Sequence, residues 1–160
     1  ALLLLAQPAT AGQFLLDAST HAMLADFGGP LGAAFDLALT GAWAPVPEVA
    51  IGLETAVTLP VYTGKDTTPT DVALRAAPVV RLRFGDDRGW GFVELGCGLD
   101  GHLAGGAFEP VLVLVGAAGY IVAPPDLTVY FGFEIHGEID MVGRIPTRTV
   151  GLGGILGTRF

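Results

Sequence analysis

Residues 127–141 read LTVYFGFEIHGEIDM, and their side chains sort by parity. Leu127, Val129, Phe131, Phe133, Ile135, Ile139 and Met141 share one parity; Thr128, Tyr130, Glu134, His136, Glu138 and Asp140 share the other. A period of two belongs to a strand. At about 100° per residue a helix would set Glu134 and Glu138 nearly opposite His136 and Asp140, leaving no clean polar face. The stretch of fifteen residues exceeds the five or six of an ordinary globular strand. It also covers the roughly 9–11 tilted residues that cross a bilayer.

Composition then decides what such a strand faces. Of the 160 residues 51% are hydrophobic and only 15% charged, and the mean hydropathy is +0.59. No window reaches the roughly 18 uninterrupted apolar residues of a membrane helix. Because the apolar residues alternate instead, a closed sheet can turn them all to lipid while satisfying every backbone group. A net charge of −8 with a single lysine, Lys65, excludes a nucleic-acid groove, which needs a basic stripe. Cys97 is the only cysteine, so no internal disulfide can form.

Six further segments alternate between turn-rich breaks, 14–24, 31–43, 49–61, 72–84, 90–103 and 147–160, and a seventh, 108–122, is apolar on both parities, where a buried strand or a helix would fit and Pro110 with the flanking Gly-rich loop favours a strand. Within them Asp17, Asp36, Glu54, Arg75, Arg81, Arg83, Glu94, Asp100, Glu134, Glu138, Asp140 and Arg159 keep to the polar parity. Glu109 and Arg148 depart from it at strand ends. Trp90 and Phe92 fall on the polar side, which reads as packing at the periplasmic end or as a bulge. The expectation is an all-β chain: an eight-stranded antiparallel up-and-down transmembrane β-barrel over residues 12–160, with an interior just wide enough to be filled by side chains. Residues 1–11, ALLLLAQPATA, end in the small-x-small form of a signal-peptidase site at Ala9-Thr10-Ala11 and read as a signal-peptide remnant or an N-terminal tail.

The last segment carries a more specific likeness. Val150, Leu152, Leu156 and the terminal Phe160 resemble the sorting signal of bacterial outer-membrane barrels. With Ala9-Thr10-Ala11 they make residues 13–160 similar to the small eight-stranded OmpA/OmpX-like class. That resemblance implies location in the bacterial outer membrane, a plugged polar lumen and short periplasmic turns. The implied partners are outer-membrane lipid, the barrel assembly machinery and other envelope proteins. The aromatic girdle at the periplasmic side would be Trp43, Phe84, Trp90, Tyr120 and Phe160.

If residue 14 begins at the periplasm, the inward charges in that half are Asp17, Arg81, Arg83, Glu94 and Arg159, and Glu54 completes the set. Arg81 can then face Glu94, and Asp17 can face Arg159 where the barrel closes. These six residues form the expected lumen charge network, since unpaired charges in a narrow lumen are costly. His21, His102 and His136, with Asp100, Glu138 and Asp140, point into the outer half, where they read either as polar filling or as a metal site of imidazole and carboxylate ligands. No catalytic constellation is legible. His136 is followed by Gly137-Glu138, without the Ser of the His-x-Ser pair found in outer-membrane lipid A deacylases, and Asp17, Ser19 and His21 lie at two-residue steps on one strand and cannot converge as a triad. The functional expectation is a barrel without enzymatic activity or cofactor, serving as anchor, scaffold or subunit of an envelope assembly. The alternatives are a soluble lipocalin-like carrier of an apolar ligand, or a narrow pore.

Overall fold

The computed structural model describes residues 12–26, 31–62, 72–86, 88–104, 107–141 and 148–160; for 25–26, 31, 60, 62, 102–104 and 107–109 it describes the backbone alone. Alternation is realised as eight strands: β1 (Gln13–Asp26), β2 (Leu31–Val46), β3 (Val49–Tyr62), β4 (Val72–Asp86), β5 (Gly89–Ala104), β6 (Ala107–Val122), β7 (Val129–Asp140) and β8 (Arg148–Arg159). Each pairs antiparallel with the next, and β8 pairs with β1 to close the barrel. Ala9-Thr10-Ala11 and most of the 62–71 loop lie outside the described residues.

Local chemistry sets the tight connections. Pro47 and Glu48 alone join β2 to β3. At the β4–β5 hairpin the Asp86 carboxylate accepts from the amides of Arg88 (2.9 Å) and Gly89 (3.2 Å). Gly85 precedes this turn at φ +145°, where a Cβ would collide with the Gly89 carbonyl. Between β6 and β7 the Leu127 amide donates back to the Pro124 carbonyl at 3.2 Å. That bond engages the Leu127 amide in the turn, so β7 starts at Val129, two residues later than alternation suggests; it ends at Asp140, one residue earlier, and has twelve residues and not fifteen. These turns and both chain ends share the terminal end of the barrel; the opposite, loop end carries the other connections.

The register fixes the height of every side chain. From Leu15 it leads across Ala42, Gly52, Val79, Gly96, Val115, Glu138 and Thr149 and meets β1 again at Ala25, ten residues further on. A stagger of this kind tilts strands by about 40° in an eight-stranded barrel and leaves room inside for side chains only. The wall is interrupted where β4–β5 pairing passes from Ala76–Leu99 to Val79–Gly96, skipping Ala77 and Pro78, and β2–β3 pairing shifts register between Ala33 and Ala34 and between Trp43 and Val46. Arg83 donates to Glu48 across the β3 side, so by alternation even-numbered β4 residues bond to β5. Pro78 has no N–H to give there.

Parity becomes inside and outside. Leu95 and Leu152 are 68% and 66% exposed, whereas His21 and Asp36 are 0% exposed. Leu53, Leu82, Phe131 and Phe133 join the exposed set. An apolar exterior over a polar interior reverses the arrangement of an apolar-ligand carrier and suits a wall bathed in lipid.

Candidate functional site

The terminal end of the lumen is floored by Leu15, Trp90, Phe92, Ile121 and Tyr130, all buried. The rings of Trp90 and Tyr130 meet edge to face at 5.4 Å and 67°. Pairing of Gly85 with Trp90 and of Arg83 with Phe92 is uninterrupted, so the two rings are interior packing and not a bulge. Trp90 is therefore no part of an aromatic girdle, being 2% exposed; Phe14, Trp43, Phe84, Tyr120, Phe131 and Phe160 are exposed rings near that end. Alanines opposite, Ala42, Ala44 and Ala50, make room for the floor. Gly157 does the same, since a Cβ there would strike the Tyr130 ring.

Above the floor lies a network centred on Arg81. Its Nε donates to Glu94 Oε2 at 2.8 Å and its Nη1 to Asp17, which also accepts from the Tyr130 hydroxyl. The guanidinium rests 4.6 Å over the Phe92 ring. Arg81 and Glu94 are register partners, as expected. The register sets Arg159 opposite Leu15, however, and Gly157 opposite Asp17, so Asp17 and Arg159 are diagonal neighbours at the closure and not direct register partners. Arg83 stacks 4.4 Å from the Trp90 ring.

A second network, nearer the loop end, is centred on Arg75. Its Nε and Nη2 reach Glu54 at 3.1 and 3.0 Å, Nη2 reaches Asp36 at 3.3 Å, and Nη1 donates to Glu138. Asp36 also accepts from the Thr58 hydroxyl at 2.8 Å. Glu54 thus belongs with Arg75 and not with the Arg81 set. His21 extends this network to Glu134, with Nδ1 3.1 Å from Asp36 and Nε2 2.6 Å from Glu134. A ring whose two nitrogens both face carboxylates satisfies both only by donating from each, or by sharing a proton with one of them. Gly153 admits that ring, because a Cβ would run into it.

The histidine cluster expected from sequence is partly assembled. His21 and His136 stack at 4.8 Å and 24°, while the His102 side chain lies outside the described residues. Among the described residues the one group with ligand-like spacing is Asp36, His136 and Glu138, within 4.8 Å of one another. Arg75 already bonds both carboxylates, and His21 and Thr58 hold Asp36 as well. A guanidinium occupies the place a cation would take, so this set does not fit a metal. Arg75, Asp36, Glu134, Glu138 and Tyr130 are the site residues that sequence reasoning left out of its network. Shared parity was their only signal.

No protein-family model matches the sequence, and no curated protein matches it. Similarity appears in structure. Neisserial surface protein A superposes with a TM-score of 0.66 at 10% identity, over 92% of this chain and 97% of that one. Ail, the attachment invasion locus protein of Yersinia pestis, gives 0.53 at 16%, over 94% and 100%. The outer membrane enzyme PagL gives 0.57 at 16%, over 88% and 97%. At these identities the likeness is one of fold: the chain has the architecture of the small eight-stranded outer-membrane β-barrels. Its lipid-facing exterior agrees with a place in the bacterial outer membrane.

Proposed function

We propose that this barrel is a structural element of the bacterial outer membrane, an anchor, scaffold or subunit of an envelope assembly, with a lumen held shut by its own charges and no catalytic role. One observation carries the reading: the guanidinium networks reach across the lumen between strands that are not neighbours. Arg81 in β4 bonds Asp17 in β1, Arg75 in β4 bonds Asp36 in β2 and Glu138 in β7, and His21 in β1 bonds Glu134 in β7. Such ties fill the cross-section that an ion would need, and buried charges paired in this way are costly to part. The terminal end faces the periplasm in this reading, residues 1–11 serve as a secretory leader, and the barrel assembly machinery engages the last strand through Val150, Leu152, Leu156 and Phe160.

Planar-bilayer recording tests the closed lumen. The wild type gives small or intermittent conductance, and Arg81→Ala, which orphans Asp17 and Glu94, gives a leak as water enters to solvate them. A large, steady wild-type current overturns the reading and makes the protein a pore.

A further inference from the structure

Among the described residues, two hydrogen-bond donors at the terminal end have no acceptor: the buried Nε of Arg83 and the indole Nε1 of Trp90. They belong to side chains in contact, the Arg83 guanidinium lying 4.4 Å over the Trp90 ring. Indole nitrogen donates only, and guanidinium nitrogens have nothing to accept with, so neither can satisfy the other. The carboxylates on the next level up are engaged elsewhere, Asp17 by Arg81 and Tyr130 and Glu94 by Arg81. Trp90 is 2% exposed, whereas Arg83 is only half-buried and so can be reached from the mouth.

We infer that Arg83 and Trp90 form an oxyanion-binding site at the terminal mouth of the barrel, distinct from the networks that close the lumen. An orphaned buried donor is expensive, and a charged one more so. An anion is the partner that satisfies both donors. A guanidinium offers its nitrogens as a planar fork matched to carboxylate or phosphate oxygens, and stacking on a ring holds that fork in orientation. The Trp90 N–H, from a separate ring, adds a donor from another direction. The ligand class is therefore a free oxyanion, or the same group at the end of a larger molecule on that side of the membrane. This inference stands apart from the proposed structural role, for a conducting barrel would carry the same site.

The chain's two tryptophans supply the assay. Trp43 faces lipid, so Trp43→Phe leaves Trp90 as sole reporter. Protein folded in micelles is titrated with sodium phosphate, and separately with sodium acetate, against sodium chloride at matched ionic strength. The expected result is a saturable change in Trp90 emission with at least one oxyanion and not with chloride; phosphate against acetate tells a tetrahedral group from a planar one. Arg83→Gln weakens binding by about tenfold or more. A response that never saturates, is matched by chloride, or is unmoved by Arg83→Gln overturns the site. If Arg83→Gln does not fold, calorimetry on Trp90→Phe decides, since it keeps a ring under the guanidinium and removes the donor. Weaker binding there supports the site, and unchanged affinity overturns it.

Discussion

Replacing Arg75 with Ala removes the guanidinium that holds Glu54, Asp36 and Glu138. None of the three is exposed: Asp36 is 0%, Glu54 3% and Glu138 7% accessible. Breaking a buried ion pair by deleting one partner costs about 3–5 kcal/mol, mostly from the charge left without compensation. Three carboxylates lose a partner here, and Asp36 keeps only Thr58 and His21, so the loss belongs at the upper end of that range. Urea unfolding in lipid vesicles, followed by tryptophan emission and by the folded band on unheated gels, measures it. Neutralising the orphans separates charge from packing: Arg75→Ala combined with Glu54→Gln and Glu138→Gln recovers more than half of the loss. Arg75→Lys does not rescue, because one ammonium cannot span three carboxylates as a planar fork does. A single variant within about 1 kcal/mol of wild type, the range of an exposed ion pair, refutes the view that the network is dry and carries stability. So does a triple variant no better than the single one.

Depth on the outer wall sets the next outcome. Leu152, between Ala22 and Ile135 in mid-strand, loses about 2–4 kcal/mol as Leu152→Arg; Phe131, beside the last residue of β6, loses about 0–1 kcal/mol as Phe131→Arg. The same unfolding assay compares them, and equal costs count against the lipid-facing assignment. Gly157→Val drives a side chain into Tyr130 and Asp17 and destabilises by about 1–3 kcal/mol, read as a lower urea midpoint. Deleting Phe160 slows membrane assembly in a pulse-chase experiment while leaving stability of the folded barrel close to wild type; equal assembly rates remove the sorting role.

Most of the wall was legible in the sequence because a strand's period is local: Leu95 and Glu94 declare opposite faces by adjacency alone. Parity likewise collected the lumen charges. Their partners were not legible, since height inside a barrel depends on a stagger of ten residues accumulated over eight pairings, and no segment displays it. Glu54 therefore meets Arg75 and not Arg81, and Phe131, central in its own apolar run, sits near one rim. The Arg81–Glu94 pair was readable because a two-residue hairpin sets its register directly. Trp90 misled as a girdle residue because large rings serve equally at a lipid interface and in a lumen floor; only its parity separated the two. The shortened start of β7 turned on one amide, that of Leu127, being used by a turn.

The skipped rungs beside Pro78 give the closed wall a direction of failure. A barrel has no edge strand, so opening it means parting a ladder; the register shifts of β2–β3 lie near the ends of β2, whereas this interruption is in mid-strand. Between β4 and β5 one donor is missing by covalent structure, and two positions in a row contribute no pairing. Amide exchange in the folded protein therefore starts at that seam, with the amide of Cys97 trading hydrogen before those of Gly96 and Gly98, which face β6. The β4–β5 seam is thereby the place where the sheet parts first, held at the terminal end by the Asp86 turn and on its inner face by Arg81 on Glu94.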